Sequence, residues 1–255
     1  MSPNFHGHVP PGRIVLIRHG ETEWSRSGRH TGRTDIALTR EGERRAASLR
    51  GALRDHRFVL VATSPRMRAG RTADLAGLRS PSPGAPLATG TTGAGEADGQ
   101  GPPDPRVAAR EVWPELAEWD YGDLEGLTTP QIREDQPGWT IWSGRVPGGE
   151  SAEAVAARAD AVLDRVLPLL RDGDVALVGH GHFSRMLIAR WLGLEPARGA
   201  SFLLEPASIS VLAHERETRV LGGLNLRPTP DQPVAAAGPG AASAEPAGRV
   251  QATAI

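Results

Sequence analysis

The chain has 255 residues and a formal net charge of −1, with 29 basic residues, 30 acidic residues, eight histidines and no cysteine. The missing cysteines exclude disulfides, a thiolate nucleophile and cysteine-bound metal clusters, and because every basic residue is arginine, Schiff-base chemistry and a P-loop lysine are excluded as well. A net charge this close to zero gives no general attraction for nucleic acid or an anionic membrane, so the composition favours a small ligand bound by a local cluster of charge.

The amino-terminal segment, MSPNFHGHVPPG, lacks the apolar stretch of a secretory signal. Nowhere does the sequence contain a run of about 18 apolar residues, the length that a helix needs to cross a membrane. We therefore expect a soluble, cytoplasmic protein that binds neither membrane nor nucleic acid, and for which a homo-oligomer is allowed but not required.

Short apolar segments rich in β-branched residues alternate with stretches of helical periodicity. The predicted strands cover 13–18 (RIVLIR), 58–63 (FVLVAT), 174–179 (DVALVG) and 208–213 (SISVLA). Helices are predicted over 40–53 and 151–170, and Pro168 is expected to kink or fray the end of the second one. Two further helices are expected after Ser64 and Gly181. This alternation predicts an α/β fold with a largely parallel sheet.

Two stretches differ from the rest in composition. Residues 80–106 hold six prolines and six glycines, and residues 228–255 hold nine alanines. Neither has an apolar periodicity that would bury a face, so we interpret both as disordered, the first as an insertion and the second as a tail. The remaining chain predicts a single domain over 12–227.

Three of the predicted strands are followed at once by polar residues of chemical interest. These segments are RHGET at 18–22, SPRMR at 64–68 and GHGH at 179–182. Because ligands of open α/β sheets bind beyond the carboxyl ends of the strands, we expect two histidines and two or three arginines to converge there if the strands are neighbours.

This set of residue types is typical of a phosphate site that contains a nucleophile. Guanidinium groups such as those of Arg18 and Arg68 bind phosphate through two parallel hydrogen bonds and stay charged. A neutral imidazole, His19 or His180, can accept the phosphoryl group covalently. The leaving alkoxide then needs a proton from a carboxylic acid.

The acidic segment around residue 120 offers several candidates for that acid, and spacing alone does not choose among them. The candidates are Glu115, Glu118, Asp120, Asp123 and Glu125. Four tryptophans cluster around this segment and are expected in the core or in the wall of a pocket. They are Trp113, Trp119, Trp139 and Trp142.

Taken together, several motifs resemble those of the histidine phosphatase superfamily, also called the phosphoglycerate mutase-like family. In the family's order these are RHGET, SPRMRAGRTA, the L-x-E-x-x-Y-G-x-x-E-G segment at 116–126, GGES and GHG. The likeness spans about residues 13–226. It implies a three-layer α/β/α sandwich around a mainly parallel sheet, and an enzyme that needs no cofactor and no metal.

The resemblance also implies roles for individual residues. His19 would be the nucleophile that becomes phosphohistidine, and Arg18, Arg68 and His180 would form the phosphate pocket. Glu118, at the family's L-x-E position, would be the proton donor and later the base for water.

A narrower likeness concerns the segments 22–32, YGDLEG, 139–142 and GHGHFSR, which are similar to the sedoheptulose-1,7-bisphosphatase branch of that family. This chain departs from that branch at His30, where members of the branch are expected to have a tyrosine. The likeness, together with the family motifs, implies a set of substrate contacts. They are Thr22, Ser25, His30, Thr31, Gly32, Tyr121, Gly181 and Arg185.

The leading hypothesis is therefore a metal-independent phosphomonoesterase that acts on small phosphorylated metabolites, sugar phosphates in particular. One alternative is a phosphoglycerate mutase-type phosphoryl transfer. A mutase is expected to carry a cluster of basic residues between Gly126 and Ser151, but the only basic residues there are Arg133 and Arg145. The other alternative is a noncatalytic phospho-ligand-binding regulator. The presence of a nucleophile and a proton donor beside the arginines argues against it.

Overall fold

The computed structural model describes residues 10–80 and 104–228. Most of the insertion predicted over 80–106, and all but the first residue of the tail predicted over 228–255, lies outside the described residues. Arg106 pairs with Asp104 and donates a hydrogen bond of 2.8 Å to the carbonyl of Leu53. Defined contacts with the domain therefore resume before the predicted end of the insertion. Within the described ranges, no helix is long and apolar enough to span a bilayer.

A central sheet of six strands is formed by the described residues. The strands are β1 (Ile14–Arg18), β2 (Phe58–Thr63), β3 (Arg110–Val112), β4 (Asp174–Gly179), β5 (Ile209–Glu215) and β6 (Thr218–Leu226). Their order is β3-β2-β4-β1-β5-β6, with the first four parallel and β5 and β6 forming an antiparallel hairpin at one edge. The mainly parallel α/β fold is thus confirmed.

Six α-helices connect or flank these strands in the described part of the chain. They are α1 (Glu23–Ser27), α2 (Arg40–Ala52), α3 (Met67–Leu75), α4 (Thr129–Asp135), α5 (Ala152–Val166) and α6 (Gly181–Trp191). α5 ends before Pro168, and the chain continues as a 3₁₀ turn over Leu167–Arg171. Because Pro168 has no amide hydrogen to donate, the predicted fraying of this helix end has a direct cause.

The sheet separates two hydrophobic cores, because successive residues of a strand point to opposite faces. Val15 and Ile17 pack on the face covered by α2 and α3, whereas Ile14 and Leu16 pack on the face covered by α5 and α6. The predicted three-layer sandwich is therefore present. All four tryptophans near the acidic segment are buried in the core on the α5 and α6 side.

A buried ionic cluster lies at the amino end of the sheet. Asp174, the first residue of β4, accepts a hydrogen bond of 2.8 Å from the Arg13 amide and one of 3.0 Å from its guanidinium, and its other neighbour is His56 Nδ1 at 2.6 Å. Burial alone raises the pKa of Asp174, but the hydrogen bonds from His56 and Arg13 outweigh it and leave this pKa below its ordinary value. The carboxylate joins the starts of β1 and β4 to the loop before β2.

Candidate active site

The carboxyl ends of β2, β4 and β1 lie side by side, since β4 pairs in parallel with both other strands. The His19 amide donates to the Gly179 carbonyl at 2.9 Å, and the Ser64 amide donates to Val178 at 2.9 Å. The rings of His19 and His180 are therefore neighbours, with their centroids 5.2 Å apart and their planes at 64°. The structure thus brings the two histidines together as expected.

His19 is held as a neutral imidazole in one tautomer. Its Nδ1 lies 2.7 Å from the carbonyl oxygen of Gly20, which only accepts hydrogen bonds, so Nδ1 carries the proton and Nε2 has a free lone pair. Burial, followed by the positive charges of Arg68 and Arg18, holds the pKa of His19 well below its ordinary value. A buried imidazole of this kind is nucleophilic at neutral pH.

The second imidazole is fixed by Arg68, which is fully buried in the first turn of α3. Arg68 Nε donates to His180 Nδ1 at 3.3 Å, and its terminal nitrogens donate to the carbonyls of Thr34 at 2.9 Å and Thr31 at 3.0 Å. Since Nδ1 of His180 accepts, its Nε2 carries the proton and donates to Ser64 Oγ at 2.7 Å. Burial and Arg68 hold the pKa of His180 well below its ordinary value.

Arg18 supplies a half-buried cation that has unused hydrogen-bonding capacity. Its terminal nitrogen donates to the Leu204 carbonyl, whereas its buried Nε has no partner among the described residues. Burial lowers the pKa of Arg18 and Glu118 opposes that shift, but a guanidinium stays charged under ordinary conditions. A half-buried cation with a free donor is suited to bind an anion.

Glu118 lies against the amino end of α6. Its Oε1 accepts the amides of Trp119 at 2.9 Å and Phe183 at 2.8 Å, and its Oε2 accepts the amide of His182 at 3.0 Å. Oε2 therefore keeps a lone pair on which a proton can be held. Of the five candidate acids, only Glu118 lines the cavity in front of His19. Glu125 instead accepts hydrogen bonds from the backbone amides of Gly32 and Thr34.

A cavity of about 250 Å³ opens in front of His19. Six of the eight predicted substrate contacts lie on its wall, namely Ser25, His30, Thr31, Tyr121, Gly181 and Arg185. Sequence reasoning missed six further wall residues, which are Gly28, Arg29, Thr129, His182, Leu203 and Leu204. His182 was visible in the GHGH segment, but its spacing alone did not reveal which way its ring faces.

Thr22 and Gly32, the other two predicted contacts, do not line this cavity. The hydroxyl of Thr22 accepts the Ser25 amide at 3.1 Å and the Ser25 hydroxyl accepts the Thr22 amide at 2.9 Å, an arrangement that caps α1. The Gly32 amide donates to Glu125 at 2.9 Å, and a Cβ at this position would lie 2.5 Å from the Trp119 carbonyl. Both residues therefore shape the loop rather than the cavity wall.

Part of the cavity wall is formed by uncharged polar side chains, which we call the neutral wall: His30, Tyr121, Thr129 and His182. The Tyr121 hydroxyl lies 2.6 Å from His182 Nδ1, and the Thr129 hydroxyl lies 3.3 Å from His30 Nε2. Burial lowers the pKa of His30 to about 4, holds that of His182 well below its ordinary value, and raises that of Tyr121 well above its own. The cavity wall thus combines arginines with uncharged polar side chains.

Comparison with known proteins places this geometry in a family. The family model of the histidine phosphatase superfamily (branch 1) matches residues 14–85 and 104–227. The chain belongs to the histidine phosphatase superfamily. Both the family and the phosphoglycerate mutase-like fold predicted from the sequence are thereby confirmed.

Several known proteins are similar to this chain over most of their own length. An acid phosphatase of Mycobacterium tuberculosis is 41% identical over 227 residues, which cover 88% of this chain and 97% of the relative. The sedoheptulose 1,7-bisphosphatase of Saccharomyces cerevisiae is 32% identical over 206 residues, covering 71% and 68%. A solved structure of an open reading frame product of M. tuberculosis is 39% identical with a TM-score of 0.72, covering 86% of this chain and 99% of that one.

Proposed function

We propose that this histidine phosphatase hydrolyses small phosphorylated metabolites, sugar phosphates in particular, through a phosphohistidine at His19. The observation that carries the proposal is a neutral His19 with a free Nε2, held beside Arg18 and Arg68 in a site whose cavity also exposes the Glu118 carboxyl group. A cavity of about 250 Å³ suits a small substrate. The acid phosphatase and sedoheptulose bisphosphatase relatives support the same activity.

In the first half of the reaction, the phosphate monoester binds with its oxygens against the guanidinium groups of Arg18 and Arg68. Nε2 of His19 attacks phosphorus in line with the ester oxygen, and the proton held on Glu118 Oε2 passes to that oxygen as the bond breaks. Arg68 is preorganised for the developing charge, because the carbonyls of Thr31 and Thr34 already fix its orientation.

In the second half, Glu118 acts in the opposite sense. Its carboxylate removes a proton from water as the water oxygen attacks the phosphohistidine, and inorganic phosphate leaves with His19 restored to the neutral imidazole. The three amides that hold Glu118 keep Oε2 in the same place for both halves. One carboxyl group thereby serves as acid and then as base.

Rapid quenching with a ³²P-labelled substrate tests the proposal. We expect acid-labile, alkali-stable label on the peptide that contains His19, together with release of inorganic phosphate at the rate of turnover. Label that passes to a second sugar instead of water would identify a mutase. Binding of substrate without any label would identify a noncatalytic regulator, and either result contradicts the proposal.

Glu118→Gln is expected to separate substrates by their leaving groups. We expect kcat/KM for glycerol 3-phosphate to fall by about 10²- to 10³-fold, because an alkoxide needs the proton that glutamine cannot give. The fall for p-nitrophenyl phosphate is expected to be much smaller, because nitrophenolate leaves without a proton. Steady-state kinetics on both substrates measure this, with Asp123→Asn, a nearby exposed carboxylate outside the cavity, as the matched control. An equal loss on both substrates would contradict the role of Glu118 as proton donor.

A further inference from the structure

We infer that His182 is a specificity-determining residue, whose ring donates a hydrogen bond from Nε2 to the substrate hydroxyl on the carbon next to the ester carbon. This inference rests on the proposed phosphatase activity and names the feature of the substrate that the neutral wall selects. It applies to leaving groups in which a hydroxyl follows the phosphoester by one carbon, as in polyol and sugar phosphates.

The position of His182 along α6 brings it close to the leaving group. Its backbone amide donates to Glu118 Oε2 at 3.0 Å, and this is the oxygen from which the ester oxygen takes its proton. The side chain of His182 starts from the adjoining Cα and lines the same cavity. Because it begins so near the proton donor, the ring reaches the first atoms of the leaving group rather than its far end.

The hydrogen bond with Tyr121 determines which ring nitrogen of His182 faces the substrate as a donor. Burial raises the pKa of Tyr121 and lowers that of His182, so the phenol keeps its proton and the imidazole is neutral. The described residues give the Tyr121 hydroxyl no acceptor other than His182 Nδ1, at 2.6 Å. The phenol therefore donates to Nδ1, and Nε2 carries the ring proton.

Nε2 of His182 forms no hydrogen bond with the described residues, so its N–H is available to a ligand. The ring is held in place by its neighbours, since its centroid lies 5.8 Å from that of His30 and 5.7 Å from that of Trp142. Arg185, whose charge also lowers the pKa of His182, stacks on Trp142 and donates to the carbonyls of Gly199 and Ala200. A fixed, neutral N–H donor is suited to a hydroxyl oxygen.

A matched pair of substrates tests this inference. Glycerol 3-phosphate and 3-hydroxypropyl phosphate have the same chain length and differ only in the hydroxyl next to the ester carbon. We expect His182→Phe, which keeps a ring but removes the donor, to lower kcat/KM for glycerol 3-phosphate by about tenfold. The value for 3-hydroxypropyl phosphate is expected to fall by much less, and circular dichroism shows whether the variant is folded.

Two amide substitutions and a distant histidine sharpen the test. His182→Gln places an amide nitrogen near the position of Nε2 and is expected to restore the preference for glycerol 3-phosphate, whereas the shorter His182→Asn is not. His214 lies on β5 with its ring against Trp191 and does not line the cavity. His214→Phe is therefore expected to change kcat/KM for neither substrate.

The possible results separate the inference from the activity on which it rests. Equal losses on both substrates in His182→Phe, or no loss on either, would overturn the inference alone. A wild-type protein that hydrolyses neither substrate and takes up no label would overturn the proposed function and the inference with it.

Discussion

His19→Gln is expected to lower kcat for phosphomonoester hydrolysis by about 10⁴-fold or more, because the substitution removes the nucleophile while leaving the rest of the site in place. Gln has no lone pair of comparable nucleophilicity at the position of Nε2. Arg18 and Arg68 are unaffected by the change, so inorganic phosphate should still bind. Steady-state kinetics and the labelling experiment on the same preparation measure both effects.

The control for this variant is His214→Gln, a histidine on β5 that does not line the cavity, and we expect full activity from it. Circular dichroism and thermal melting establish that His19→Gln is folded. Hydrolysis by His19→Gln at a rate close to wild type, or acid-labile label on another residue, would show that the nucleophile lies elsewhere.

Asp174→Ala is expected to lower the free energy of unfolding by about 2–4 kcal/mol, because it leaves a buried histidine and a half-buried arginine without their carboxylate. Arg13 and His56 both bond to this side chain at the amino end of the sheet. Urea denaturation at neutral pH measures the loss. The matched control is Asp160→Ala, since the Asp160–Arg190 pair is more exposed, with side-chain exposures of 43% and 29%, and should contribute only about 0–1 kcal/mol.

The pH dependence of this loss has a definite sign. The pKa of Asp174 is lower in the folded protein than its ordinary value, so its stabilisation is fully present above the unfolded-state pKa of about 4 and disappears as the pH falls through the folded-state value. We therefore expect the stability gap between wild type and Asp174→Ala to shrink in acid below about pH 4. A gap that is constant with pH, or as large for Asp160→Ala, would show that the cluster does not act as described.

Three of the four parallel strands, β1, β2 and β4, were predictable because they are buried, whereas the short and partly exposed β3 was missed. Segments such as VLVAT and ALVG combine β-branched residues with an abrupt change to polar side chains, and that pattern marks a central strand and the ligand edge at once. His19 and His180 were brought together by this reasoning alone, although 161 positions separate them. The same reasoning did not identify Glu118, because the choice among five acids came from the family resemblance.

Other elements carried too weak a signal. β6 is an edge strand of mostly intermediate burial, and Gly222 and Gly223 interrupt its pattern. α1 has only five residues and is stabilised by the cap that Thr22 and Ser25 form. The Thr22 hydroxyl, which was expected to contact substrate, therefore accepts a hydrogen bond from the backbone instead. A side chain's orientation around a helix turn or a loop depends on tertiary packing, which sequence spacing does not contain.

The bond between His19 Nδ1 and the Gly20 carbonyl has a consequence for the regiochemistry of the covalent intermediate. With Nδ1 occupied by this internal acceptor, we expect the proposed phosphoryl transfer to reach the remote ring nitrogen and to give the tele isomer of the phosphorylated side chain and none of the pros isomer. ³¹P NMR and isomer-selective antibodies distinguish the two adducts, so a single backbone oxygen decides which reagent will detect the trapped enzyme.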